Sequence, residues 1–430
     1  MRVGVVGLWH LGTVTAACLA SAGSTVVGFD QHAETVDRLR TGHLPVFEPG
    51  LEGVVRRELE AGRLSFSSDP EDLTSAEIVW VGYDTPVDEN DRADVESIIE
   101  RVAAIFPYVG RGTLVLISSQ LRVGSTRRLE DIYRRVRADG TATFAYSPEN
   151  LRLGRAIETF TRPERVVVGV RDPADKDRIA RLLKPFTENI QWMSVESAEM
   201  TKHALNAFLA ASVAFANELA ALSERLGADG GEVERGLKSD ARVGPGAYVR
   251  PGHAFAGGTL ARDVSFLMEV GQRVGLPTPL ISAVQRSNDA HKEWPRRRLL
   301  EVLGDVRDRT IAVLGLTYKP GTDTLRRSSA IETCRWLHAR GALVVAYDPA
   351  VGTLPVELSG VIDLRPSIEA ALRGAAAAMV ATEWPQFTAI TADDLIRWMD
   401  QPIVVDPGRF LEANLGVDRR IRYLAVGRAA

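Results

Sequence analysis

Hydrophobic positions along the chain follow two rhythms. Short continuous apolar runs, many of them β-branched, alternate with longer stretches in which apolar residues recur every three or four positions. The runs Met1–Val6, Thr25–Asp30, Ile78–Gly82, Thr113–Ser118 and Thr143–Tyr146 predict strands, most of them separated by an amphipathic helical segment. Unbroken apolar runs such as Val3–Val6 belong to strands covered on both faces, which argues for a parallel, doubly wound sheet. Val166–Gly169 followed by helical Asp172–Leu183 continues the pattern.

From Ser197 the rhythm changes. Glu199–Leu226 is rich in Ala and Leu and has no internal Gly or Pro, so it predicts one long helix of the kind that bridges domains and offers a face to a second subunit. Ser239–Gly258 breaks into Gly, Pro and aromatic residues and reads as loop. The first rhythm then returns, with strands expected at Thr310–Gly315, Ala342–Asp348, Ala375–Ala381 and Ile403–Asp406 and a helix at Ile331–Ala339. The expected fold is α/β: two Rossmann-like doubly wound domains joined by a long central helix, divided as 1–195, 196–300 and 301–430. The openings Val3–Asp30 and Ile311–Asp348 share one strand–helix–strand–Asp layout and suggest two related nucleotide-binding halves.

Composition narrows the class. A chain of 430 residues with 45% apolar and 25% charged positions has the balance of an ordinary globular protein of two or three domains. A net charge of −4 shows no basic footprint for nucleic acid or an anionic membrane. No apolar run approaches the ~20 residues that span a bilayer, and the start MRVGVVGLWH reads as mature sequence rather than a leader. The two cysteines, Cys18 and Cys334, each lie in an apolar helical pattern, so neither a disulfide framework nor a Cys-based zinc site is expected. A cytoplasmic small-molecule enzyme or binder without a metal is the expectation.

The first candidate site is Gly7-Leu-Trp-His-Leu-Gly12, which follows a strand and opens a helix, with Asp30 ending the next strand. A helix start offers free N–H groups to a pyrophosphate, and an acidic residue at that distance accepts hydrogen bonds from ribose hydroxyls and repels a 2′-phosphate. NAD is therefore expected over NADP. The middle glycine of the fingerprint is replaced by Trp9, which requires a negative φ there and an indole turned away from the phosphates.

With these residues placed, the chain resembles the UDP-glucose/GDP-mannose dehydrogenase family along nearly its whole length. The resemblance is carried by Thr85-Pro86, Ser119-Gln-Leu-Arg-Val-Gly124, Ser147-Pro-Glu-Asn-Leu-Arg-Leu-Gly154, Ser197-Ala-Glu-Met-Thr-Lys202 with Asn206 and Asn217-Glu218, and Asp240-Ala-Arg-Val-Gly244. Gly315-Leu-Thr-Tyr-Lys-Pro320 with Thr322-Asp323 and Arg326, Ala346-Tyr-Asp-Pro349 and Thr382-Glu-Trp384 extend it to the last third. Members of this family oxidise a sugar C6 alcohol to a carboxylate in two NAD-dependent steps, as dimers made by the central helix.

The resemblance implies catalytic roles for Lys202, Asn206, Asp263 and Glu149, with Thr259 in the place of the nucleophile. It implies cofactor contacts for Gly7, Trp9, His10, Leu11, Gly12, Asp30, Thr85, Pro86, Ser119, Gln120 and Arg326. Substrate contacts are implied for Leu151, Arg152, Arg242, Tyr248, Phe255, Gly257 and Lys319. The implied partners are a nucleotide-sugar and a second copy of the chain, with no nucleic acid and no membrane.

The departures from the family pattern cluster. Ala254-Phe-Ala-Gly-Gly-Thr259-Leu-Ala-Arg262-Asp263 stands where the family has Gly-Phe-Gly-Gly-x-Cys-x-x-Lys-Asp, so Thr259 replaces the nucleophilic Cys and Arg262 the Lys. Gln120 replaces a Thr, Leu153 a Glu and Asn150 a Phe. Oxidising an aldehyde by hydride transfer passes through a covalent thiol adduct, and an unactivated Thr hydroxyl is a far weaker nucleophile than a thiolate. His253 lies in the same loop as a weak candidate base. Lys202 remains Lys in an Arg-rich chain, and Lys, unlike Arg, can surrender its proton. The expectation is one hydride transfer that stops at a carbonyl, or a transient oxidation serving a redox-neutral dehydration or epimerisation. The alternatives are a non-catalytic nucleotide-sugar or NAD sensor and, last, a four-electron 6-dehydrogenase that works without Cys.

Overall fold

The computed structural model describes residues 1–86, 93–138, 140–149, 151–256 and 258–428, so the expectations for Asn150 and Gly257 lie outside the described residues. Contacts divide the chain into two compact units, Met1–Ala204 and Leu205–Ala430.

The first unit is built on an eight-stranded sheet of β1 (Arg2–Val6), β2 (Thr25–Phe29), β3 (Leu64–Ser67), β4 (Ile78–Val81), β5 (Leu114–Ile117), β6 (Thr143–Tyr146), β7 (Val166–Val170) and β8 (Ile190–Met193), in the order β3-β2-β1-β4-β5-β6-β7-β8. Every residue of β4 and β5 is buried, as the unbroken Ile-Val-Trp-Val and Leu-Val-Leu-Ile runs require of central strands covered on both faces. The helix His10–Ser21 packs Val14, Ala17, Cys18 and Leu19 into the core that includes Val3, Val5, Ile78 and Leu114. β3 escaped the sequence reading because Leu-Ser-Phe-Ser is a short, alternating edge strand with half the apolar signal of its neighbours.

One expectation for this sheet needs correction. Val166–Val170 does not continue the parallel pattern, because β7 runs antiparallel to β6, with Ala145 opposite Val170 and Tyr146 opposite Gly169. A parallel return needs a crossover long enough to carry the chain back to the starting edge. Among the described residues between Tyr146 and Val166 the only helix is the short Ala156–Thr161, which is less than two turns long. β8 then pairs parallel to β7.

The second unit carries a six-stranded sheet of β9 (Thr310–Leu314), β10 (Leu343–Tyr347), β11 (Asp363–Leu364), β12 (Ala377–Val380), β13 (Ile403–Val405) and β14 (Arg422–Leu424), in the order β11-β10-β9-β12-β13-β14, with every recorded pair parallel. Apolar layers cover both faces: Trp294, Leu299, Cys334 and Leu337 pack on one, and Phe387, Leu395, Leu411 and Leu415 on the other. The α/β reading with two Rossmann-like sheets holds.

The long helix runs Val195–Leu226, four residues longer at its start than expected, because Ser194 accepts the Ser197 N–H with its hydroxyl and caps it. It also corrects the reading of apolar runs. By length and composition this helix contains an 18-residue window apolar enough to cross a membrane. Its alanines and leucines supply that hydropathy, and they include Ala210 and Ala214, which pack with Phe255, Val264 and Val284 inside the second unit.

Candidate active site

In the first unit, β1 ends at Val6 and the chain turns through Gly7 into the helix that starts at His10. Gly7 has φ +91°, and a Cβ there would meet the Tyr83 ring at 2.5 Å; at Gly12 a Cβ would stand 1.7 Å from the Gly7 carbonyl oxygen. Only glycine fits either position. Trp9 is the helix N-cap, with φ −89°, no side-chain cap hydrogen bond and 53% exposure. The middle position therefore needs no left-handed backbone, which is how this fold accommodates a tryptophan there.

Asp30 is buried at the end of β2. It accepts the Leu8 N–H on Oδ2 at 2.9 Å and the His32 N–H on Oδ1 at 3.0 Å, with the Arg101 guanidinium 3.8 Å from Oδ1. Each oxygen retains a lone pair for a ribose hydroxyl. Nearby, the Thr85 hydroxyl donates to the Gln120 carbonyl at 2.7 Å, and the fully buried Ser119 hydroxyl has no hydrogen-bond partner among the described residues. The glycine cradle, the helix start and these acceptors fit a dinucleotide.

The loop Ser119–Gly124 is held by the start of the long helix. Glu199, fully buried, accepts the Gly124 N–H at 2.6 Å and both the N–H and hydroxyl of Thr126, at 2.9 and 2.7 Å, so it caps the helix Ser125–Val136. Burial pushes its carboxyl above the usual range against those donors. His203 donates from Nε2 to the Leu121 carbonyl at 2.9 Å. Between them on the helix, Lys202 is 7% exposed; its ammonium donates to the Glu149 carbonyl at 2.6 Å and stands 3.7 Å from that residue's carboxylate. The other oxygen of Glu149 accepts the Leu151 N–H at 2.9 Å.

In the second unit, Asn206 donates to the carboxylate of fully buried Asp263 in a short hydrogen bond. Asp263 is the fifth residue of the helix Thr259–Arg273, whose N-cap Gly258 has φ +113°. Thr259 is the exposed first residue of that helix. The preceding loop is clamped from three sides. Asn288 accepts the Phe255 N–H at 2.8 Å and donates to its carbonyl at 2.9 Å, Asn217 accepts the Gly252 N–H at 2.9 Å, and His291 donates to the Gly252 carbonyl at 2.8 Å. Burial lowers His253 and His291 to about 4, so both are neutral at pH 7 and His253 carries no charge into the loop. Its Nε2 stands 3.8 Å from Glu383, whose carboxyl burial raises.

The two cysteines are buried, and burial pushes each thiol up to about 12. Neither can supply a thiolate near neutral pH. Arg242 lies on an exposed loop, 88% exposed, and pairs bidentately with Asp240 at 2.8 and 3.0 Å. Tyr248 and Arg326 are exposed, Arg152 is exposed, Leu151 packs against the first core, and Lys319 lies over the Tyr318 ring at 5.7 Å.

Sequence reasoning missed Glu48, Glu199, His203, Asn288 and His291. Each sits in a helix or a polar loop where its type is unremarkable, and only tertiary contact shows what it holds. The one available signal was Glu199 and His203 flanking Lys202 within a helix otherwise poor in ionisable groups.

Comparison with known proteins gives one answer along the chain. Residues 1–187 match the NAD binding domain, 196–290 the central domain and 312–413 the UDP binding domain of the UDP-glucose/GDP-mannose dehydrogenase family. A UDP-glucose 6-dehydrogenase of Pseudomonas aeruginosa is 34% identical over 96% of this chain and 94% of its own. One from Rhizobium meliloti is 32% identical over the full length of both. A solved UDP-glucose dehydrogenase from the hyperthermophilic archaeon Pyrobaculum islandicum is 30% identical and superposes with a TM-score of 0.87 over 100% of this chain and 98% of its own.

Proposed function

Because the chain belongs to the UDP-glucose/GDP-mannose dehydrogenase family, we propose that it oxidises the C6 carbinol of a nucleotide-linked sugar with NAD and that Thr259 confines it to the first hydride transfer. Enzyme class, cofactor and nucleotide-sugar substrate follow from the family; the restriction to one transfer is our reading. When bound, NAD supplies the hydride acceptor. Gly7, Gly12 and the helix start would hold its pyrophosphate, Asp30 its ribose, and Thr85 and Ser119 would line it.

The remaining chemistry falls to the chain. Lys202, held by Glu149, takes the hydroxyl proton as the free amine, after giving its own proton to solvent, while hydride leaves the carbon, so the alcohol loses two electrons and two hydrogens and becomes an aldehyde. Asn206, braced by Asp263, donates to the oxygen on which charge develops. Going on to an acid requires adding a nucleophile to that aldehyde. The observation that carries the proposal is that both thiols of this chain are buried and pushed to about 12; it is supported by the exposed Thr259 at the position to which the family resemblance assigns the nucleophile.

A second reading, an ordinary four-electron 6-dehydrogenase, is favoured by the names of the relatives, which are UDP-glucose 6-dehydrogenases. NADH counted against product separates the two when the protein is given NAD and UDP-glucose and the sugar is identified by mass spectrometry. One NADH with an aldehyde, or none with a dehydrated or epimerised sugar, supports the proposal. Two NADH with a uronate overturns it in favour of the second reading.

We retain 1–195, 196–300 and 301–430 as the proposed domains, and a homodimer as the proposed assembly. Its support is an exposed apolar seam on the long helix, Leu205, Phe208, Phe215, Leu222 and Leu226, at the three-and-four spacing of a helix–helix contact. Phe208→Glu with Phe215→Glu is expected to yield a monomer in sedimentation; an unchanged mass would end this reading.

A further inference from the structure

Glu48 belongs to none of the groups assigned above, yet it is among the most constrained carboxylates in the first unit. It sits in the loop between the helices Ala33–Arg40 and Leu51–Glu60 and is 2% exposed. Both of its oxygens are engaged, by partners far apart in the chain. Oε1 accepts the Ala156 N–H at 2.8 Å, and Oε2 accepts the Gly154 N–H at 2.9 Å and meets His10 Nε2 at 3.0 Å.

His10 is the first residue of the helix that opens the dinucleotide site. Gly154 and Ala156 close the turn that follows Glu149, Leu151 and Arg152, the segment the family reading assigns to catalysis and substrate. A buried carboxylate that satisfies three donors is costly to disturb, and losing one charged hydrogen bond of this kind is worth a factor of about ten or more.

We propose, resting on the family reading of these two segments, that Glu48 is a positioning residue. It ties the first turn of the dinucleotide helix to the Gly154–Ala156 turn, so that seating the dinucleotide at His10 fixes the segment that receives the sugar. Glu48 touches neither ligand. It acts through His10 on one side and two main-chain amides on the other. Cofactor occupancy then stiffens Leu151–Ala156 before any sugar arrives.

The test uses the whole protein and NAD alone. Calorimetry measures NAD binding, and amide exchange read by mass spectrometry follows residues 151–156 with and without NAD. In the unmodified protein, bound NAD is expected to slow that exchange by about threefold or more. In Glu48→Gln the slowing disappears, and the KM for UDP-glucose rises about tenfold, more than kcat falls. His10→Phe keeps the ring but has no donor, so it leaves the Glu48 bonds to the turn intact and breaks only the link; it must abolish the NAD-dependent slowing even if Glu48→Gln folds poorly.

NAD bound by the unmodified protein with exchange unchanged at 151–156 overturns the inference, as does slowing that survives in His10→Phe. Failure of the unmodified protein to bind NAD is a distinct result: it removes the proposed NAD-dependent oxidation and this inference with it.

Discussion

The Lys202 ammonium donates to the main-chain carbonyl of Glu149 at 2.6 Å while the carboxylate of the same residue stands 3.7 Å off. One residue thus supplies both a fixed acceptor that aims the ammonium and a counter-charge beside it. An Arg here would keep the charge but cannot surrender a proton. Lys202→Arg and Lys202→Met are each expected to lower kcat for NAD reduction by a factor of about 10² or more. UDP binding, measured by calorimetry, should fall far less. Comparable loss of binding and turnover would reassign Lys202 to substrate affinity.

Thr259 stands at the first position of its helix and is exposed to solvent. A thiol there would sit where a helix N-terminus lowers its pKa. Thr259→Cys is expected to add a second NADH per sugar and convert an aldehyde product to a uronate, read by mass spectrometry and by NADH yield. An unchanged product ratio would show that the nucleophile position does not set the end point.

Gly12 meets the Gly7 carbonyl so closely that a methyl group has no room. Gly12→Ala is expected to weaken NAD binding by about tenfold or more and to lower the melting temperature, both measurable on one sample. Trp9 lies at negative φ and half in solvent. Trp9→Gly should therefore leave the fold intact and change NAD affinity by less than about tenfold.

His253 and His291 are held near 4, below the ordinary value of 6.5. Between those two pH values the unfolded chain binds protons at these sites and the folded chain does not. Their contribution to stability is present above about pH 6.5 and is lost as pH falls toward 4. Buried carboxyls raised by burial, such as Glu199 and Asp406, work in the opposite direction, so the histidine share is read by difference. His291→Gln keeps a donor for the Gly252 carbonyl and is expected to flatten the acid limb of melting temperature against pH, by an amount on the order of 1–2 kcal/mol. An acid limb identical to that of the unmodified protein would exclude His291 as its source.

Much of the fold was legible where one layer of packing decides the pattern. Unbroken apolar runs marked β1, β4 and β5 because both faces of those strands are covered. β3 and β14 escaped because they are short and lie at or beside sheet edges, and the reversal of β7 escaped because strand direction depends on the connection rather than on strand composition. In the site, residues with a required conformation or spacing were visible: Gly7, Gly12, Asp30, and the pair Lys202 and Asn206. Residues that act by holding main-chain atoms were not. Glu48 and Asn288 look like ordinary polar positions until residues 106 and 33 positions away are seen beside them.

The two strand–helix–strand openings share their hydrogen bonds nearly atom for atom. Gly7 and Gly315 have φ of +91° and +90°, and the next N–H donates to Asp30 Oδ2 at 2.9 Å in one case and to Asp348 Oδ2 at 2.7 Å in the other. They part at a single oxygen. Asp348 Oδ2 also accepts the Thr317 N–H and hydroxyl and the Trp384 indole N–H, while Oδ1 takes Ala350. Asp348 Oδ2 is thereby filled, while Oδ1 keeps the same spare lone pair as its counterpart on Asp30. The second opening can therefore offer a ribose diol one oxygen where the first offers two, so an indole and a threonine are enough to set apart two turns that the backbone makes alike.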